Sequence, residues 1–126
     1  MSQDKAPELK IEKDEDLLEV YANNVFFESS VWDIKMLFGT LDQSKDQQIS
    51  IHQHTAISIP WLQAKVMAYF LHLNIAIHEH NNGEMPMPKR VIPPPPTPPS
   101  DTSANDPVAI EAYKAYLKIY KQHFPE

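Results

Sequence analysis

The chain has 126 residues, with 17 acidic against 11 basic side chains, a formal net charge of −6 and no cysteine. No disulfide framework and no thiolate chemistry are available to it. Arg90 is the single arginine, and phosphate neutralisation needs clustered Lys and Arg, so nucleic acid is not expected as a partner. At 14.5 kDa the chain suits one small domain with tails, a size that sits near the stability margin unless oligomerisation supports it.

Residues 1–16 set Asp4, Glu8, Glu12, Asp14, Glu15 and Asp16 against Lys5, Lys10 and Lys13, with few large apolar groups. Such a segment buries too little to offset its ordering entropy and reads as an acidic, disordered tail. It contains no apolar signal core, and no apolar run approaches the ~18 residues of a membrane span. A cytoplasmic protein without membrane or nucleic-acid partners is the expectation.

Residues 17–83 read as the folded domain. Glu19 to Ser29 interleaves Tyr21, Asn23, Val25 and Phe27 with Val20, Ala22, Asn24 and Phe26, a strand in which Asn23-Asn24 marks a bulge or bend. Ser30 to Asp33 is a connection rich in side chains that bond nearby backbone. Asp33 to Leu41 alternates Ile34, Met36 and Phe38 against Lys35, Leu37 and Gly39. After the polar turn Asp42 to Gln48, Ile49 to Ile59 alternates again, with Ile49, Ile51, Ile57 and Ile59 on one face and His52 and His54 on the other. Three strands with short connections predict an antiparallel meander.

Pro60 then opens a helix predicted to run to His80 or Asn81, with Gly83 suited to a left-handed stop. Leu62, Val66, Tyr69, Phe70, Leu73, Ala76 and Ile77 share one face. Trp61, Ala64, Met67, Ala68, Leu71 and Ile75 form a second, with Lys65 and His72 along one narrow seam and Gln63, Asn74 and His78 along the other. Three strands offer surface for one face only. The sheet is expected to pack on Leu62, Tyr69, Phe70 and Leu73, and the opposite face on a second copy of the chain. A helix wholly enclosed within one fold is the competing reading.

Residues 84–105 carry Pro86, Pro88, Pro93 to Pro96, Pro98 and Pro99 and predict an extended polyproline linker. Residues 106–126 form a C-terminal amphipathic helix. Asp106 is its N-cap, Pro107 its first residue, and Tyr113, Leu117, Tyr120 and Phe124 recur at helical spacing. Alone, a helix of that length is marginal in water, so it must dock on its own domain, another subunit or another protein. Arg90 with Pro93 and Pro96 also matches the R-x-x-P-x-x-P pattern that aromatic grooves recognise, although a rigid spacer is the favoured account of the prolines. Arg90, Pro93, Pro96, Tyr113, Leu117 and Tyr120 are therefore the candidate partner-binding residues.

Little in the sequence points to catalysis. No serine sits in a G-x-S-x-G turn, and Gly39 and Gly83 are the only glycines, too few for a phosphate-cradling loop. His78-Glu79-His80 diverge around a helix and cannot converge on one metal. His52 and His54, two apart on a strand, can place two imidazoles on one ion, with Glu28 or Phe26 as neighbours across the strands. No third ligand is evident, and a polar sheet face accounts for the pair. No cofactor is expected.

The run Tyr21-Ala22-Asn23-Asn24-Val25, the Ser30-x-x-Asp33 step, the Phe38-Gly39 ending and the Pro60 helix with Gln63-Ala64-Lys65 and Asn74 resemble a family of short, uncharacterised bacterial proteins, a domain of unknown function. The resemblance covers about Val20 to Gly83. It implies a small α+β domain and no activity, so no functional residues carry over from it. Together these readings commit to a β-β-β-α domain, a proline-rich segment and a short helix. The functional expectation is a non-enzymatic homo-oligomeric scaffold, with a metal or small-molecule module on the His52/His54 face as the alternative.

Overall fold

The structure, a computed structural model, describes residues 6–43, 49–100 and 105–125. The chain divides into two units, Met1–Asn74 and Ile75–Glu126. In the first, strands β1 (Asn24–Ser29), β2 (Asp33–Gln43) and β3 (Ile49–Pro60) form one antiparallel sheet in the order β1-β2-β3. The meander is the expected one. Residues 1–5 of the acidic tail and 44–48 of the β2–β3 turn lie outside the described residues. The described remainder of the tail, residues 6–16, carries no helix or strand, and a turn at its end is closed by the Leu17 N–H on the Asp14 carbonyl at 3.1 Å.

The first strand is shorter than its alternation predicts, beginning at Asn24 rather than Glu19. Asn23 causes the difference. Its backbone N–H bonds the Gly39 carbonyl at 3.1 Å, and its side-chain Oδ1 then accepts the Leu41 N–H at 2.8 Å. A side chain thus takes the place that the preceding strand backbone would hold, and the ladder stops there. At the other end, Ser30 builds the turn into β2. Its Oγ accepts from the Trp32 and Asp33 N–H groups, both at 3.1 Å, and donates to Asp33 Oδ1 at 3.0 Å.

A bulge separates two registers of β3. Phe38 pairs with Thr55 but Gly39 pairs with Gln53, leaving His54 as the extra residue. Cross-strand partners share a face and side chains alternate along a strand, so one extra residue reverses the alternation beyond it. Ile57 and Ile59, opposite Met36 and Ile34, therefore lie on one face, while Ile49 and Ile51, opposite Gln43 and Leu41, lie on the other. The expectation of all four isoleucines on one face is corrected by that single residue. Gly39 is what the bulge requires: a Cβ there would sit 2.5 Å from the His52 carbonyl oxygen and 3.0 Å from Gln53 Cα.

Helix α1 (Trp61–Asn82) starts at the residue after β3 ends. It closes as the sequence predicts, with Gly83 at φ +89° and its N–H on the Glu79 carbonyl at 2.8 Å. Its packing does not follow the expectation. Among the described residues only the strand pairs β1–β2 and β2–β3 share more than slight contact, so a single chain does not lay the Leu62/Tyr69/Phe70/Leu73 face on its own sheet. Turning a helix back over the strand it follows takes a connection of about 2–6 residues, and here there is none. Met36, 5% exposed, is the one buried hydrophobic side chain among the described residues.

In the second unit, a single 3-10 turn at Lys89–Val91 interrupts the run expected to be extended throughout residues 84–105; residues 101–104 lie outside the described set. Helix α2 (Pro107–His123) begins as predicted, with Asp106 Oδ1 accepting the Val108 N–H at 3.0 Å.

Candidate functional site

A helix with two apolar faces has two surfaces to bury. On α1, no residue is buried. On the second face, Ala64 and Met67 are half-buried, while Ala68, Leu71 and Ile75 are exposed, Leu71 by 56%. Trp61 differs from the rest of that set. Its indole Nε1 donates to the Ser30 carbonyl at 2.9 Å, which pins the start of α1 to the β1–β2 turn and leaves the ring 43% exposed. On the first face, Leu62, Val66, Tyr69, Phe70 and Leu73 are all exposed, with the Tyr69 and Phe70 rings edge to face at 5.1 Å.

The sheet leaves a comparable surface open. Its Met36 face gathers Val25, Phe27, Ile34, Phe38, Ile57 and Ile59, and Phe27 remains 60% exposed.

The histidine pair is placed differently from a metal site. His54 has both ring nitrogens engaged, Nδ1 with Thr55 Oγ1 at 2.8 Å and Nε2 with the Tyr21 carbonyl at 3.0 Å. His52 is opposite Thr40, on the Met36 face. Glu28 and Phe26, expected as neighbours of the histidines, pair with Lys35 and Leu37 on the opposite face; Glu28 lies 3.9 Å from the Lys35 ammonium. Among the described residues no group of three His, Asp or Glu side chains is arranged to hold a metal. A pocket of about 200 Å³ does lie beside His54, lined by Leu18, Val20, Ala22, Phe38, Thr55 and Ile57. It is where the chain entering β1 crosses the sheet.

The candidate partner-binding residues of the second unit meet one another. Tyr120 Oη donates to the Pro93 carbonyl at 2.7 Å, and Pro94 and Pro96 line a cleft with Tyr116, Ile119, Tyr120, His123 and Phe124. Leu117 and Tyr120 border Pro95 in a second cleft, and Tyr113 is half-buried. Arg90 stands in the 3-10 turn, so the R-x-x-P match is not a continuous polyproline ligand. The proline run, expected to hold α2 at a distance, lies against it instead. Tyr120→Phe should remove about 1 kcal/mol of that docking, read as faster amide exchange along α2 with the sheet amides unchanged.

Residues 1–87 match the sequence model of a family described as "Protein of unknown function (DUF3467)". The chain belongs to the DUF3467 family. No curated protein and no solved structure matches it. The DUF3467 match extends beyond the Val20–Gly83 span of the resemblance, taking in the acidic N-terminal residues, and ends before the 3-10 turn and α2. The motifs that carry the resemblance are architectural in this DUF3467 chain. Asn23 ends β1, Ser30 and Asp33 form the turn into β2, Phe38-Gly39 forms the bulge, and Asn74 Nδ2 folds back onto the Phe70 carbonyl of its own helix at 2.7 Å. Sequence reasoning missed the Trp61–Ser30 clasp, and a Trp at the first helical position directly after a strand is the signal that pointed to it. Among the described residues of this DUF3467 protein, no helix is long and apolar enough to cross a membrane.

Proposed function

We propose that the protein is a non-enzymatic, homo-oligomeric interaction or scaffold protein whose fold is completed by self-association. One observation carries the reading: a chain with three strands and a 22-residue helix buries a single hydrophobic side chain, Met36, among its described residues. Burial of apolar surface is the main favourable term in folding, at about 25 cal/mol per Å², and a single chain draws little of it from α1, where Leu62, Val66, Tyr69, Phe70, Leu71, Leu73, Ile75 and Ile77 are all exposed. The second α1 face, Ala64, Met67, Ala68, Leu71 and Ile75 with the exposed rim of Trp61, is the surface through which copies meet. Its small residues at 64 and 68 allow two helices to approach closely.

The metal-binding alternative has less support, because His54 spends both ring nitrogens within the fold. Coupled folding and association has a signature of its own. The unfolding midpoint should rise with protein concentration, since mass action favours the assembled state. A midpoint independent of concentration over a hundredfold range, with single-chain mass, would overturn the reading.

A further inference from the structure

We propose that the apolar face of each sheet is covered by the Leu62/Val66/Tyr69/Phe70/Leu73 face of α1 from a second copy, so that two chains complete each other's β-β-β-α core. The inference rests on the homo-oligomer reading and adds which surface meets which.

Connectivity comes first. β3 passes into α1 without a connecting residue, and the Trp61 indole fastens that junction to the Ser30 carbonyl. The helix is therefore held where it does not fold back over its own strands, and so short a hinge favours exchange between copies. Chemistry selects the face. On the Met36 side, the stretch from Ser29 and Ile34 to Phe38 and Thr55 carries no charged side chain. The opposite side carries the Glu28–Lys35 pair and Asp33. Only the first suits a helix face made of Leu, Val, Tyr and Phe, because an uncompensated charge beneath it would be desolvated.

Leu62 to Leu73 spans about 17 Å along a helix, and the part of the Met36 face offered to it is Phe27, Ile34, Met36 and Ile59, beside the chain's own Leu18, Val20 and Ala22, which line a pocket with Phe38, Thr55 and Ile57. The contact is made twice about a twofold axis and leaves the Ala64/Met67/Ala68/Leu71/Ile75 faces to meet across it, a closed arrangement that ends at two copies.

The chain has no cysteine, so introduced thiols report without background. Ile57→Cys in one tagged copy and Phe70→Cys in a differently tagged copy are co-expressed and treated with a short bismaleimide. Phe27→Cys with Leu73→Cys serves as a second pair in case the first fails to fold. The expected product carries both tags at about twice 14.5 kDa on a denaturing gel, with yield at least several-fold above a control in which Lys35→Cys on the opposite sheet face replaces Ile57→Cys. With both cysteines in one chain, the link should again join two chains. An intrachain link, or yields no higher than the Lys35 control from a dimeric sample, overturns the exchange and leaves self-association standing. A single-chain mass for the untreated protein overturns both.

Discussion

Leu71→Glu should abolish self-association, leaving single chains that are unfolded or molten by near-ultraviolet circular dichroism. In one isolated chain Leu71 is 56% exposed, and a substitution at such a surface position ordinarily changes stability by no more than about 0.5 kcal/mol. Across a twofold axis the same residue faces its own copy. Two glutamates would then be brought together in an apolar contact, at a cost of several kcal/mol from desolvation and like-charge repulsion. The two readings thus differ by roughly an order of magnitude at one position. Gln63→Glu, on the polar seam of the same helix, is the matched control and should leave both mass and melting unchanged.

Gly39→Ala should be the most damaging single change in the sheet. The added Cβ meets backbone, the His52 carbonyl oxygen at 2.5 Å and the His52 carbonyl carbon at 3.0 Å, so no side-chain rotation relieves it. Either the bulge opens or β2 and β3 separate beyond it. Overpacking of this kind costs about 1–3 kcal/mol, which lowers the melting midpoint of so small a domain by roughly 5–15 °C. Gly83→Ala gives the comparison: nothing lies within 4 Å of its Cβ position, and the strain comes from φ +89° alone. Its cost is about 1 kcal/mol, confined to the end of α1. Melting curves that place Gly83→Ala below Gly39→Ala would count against the assigned role of the bulge.

Much of the architecture was legible in the residues. Period two marked β2 and β3, Pro60 and Gly83 bracketed α1 to within a residue or two, and Asp106-Pro107 marked the start of α2. What was not legible depended on contacts distant in sequence. The Asn23 side chain shortens β1 by bonding Leu41, 18 residues away, and no local pattern encodes that. The extra residue at His54 is invisible to an alternation count, because Gln53 and Thr55 break the isoleucine series in either register. The bulge is what parts Ile49 and Ile51 from the face that Ile57 and Ile59 share with Met36, so the composition of the apolar face was hidden too. The proline run read as a spacer because polyproline stiffness is local, whereas its docking depends on the Tyr120 hydroxyl finding the Pro93 carbonyl 27 residues back. The two-faced character of α1 needed no tertiary information, and it is the feature that most directly implies a partner surface.

Light scattering after size exclusion on the full chain tests the central claim most directly. A mass of twice 14.5 kDa, held down to low micromolar concentration, is the result the account predicts. A folded species at 14.5 kDa, with cooperative melting, would mean that one chain suffices and would contradict it.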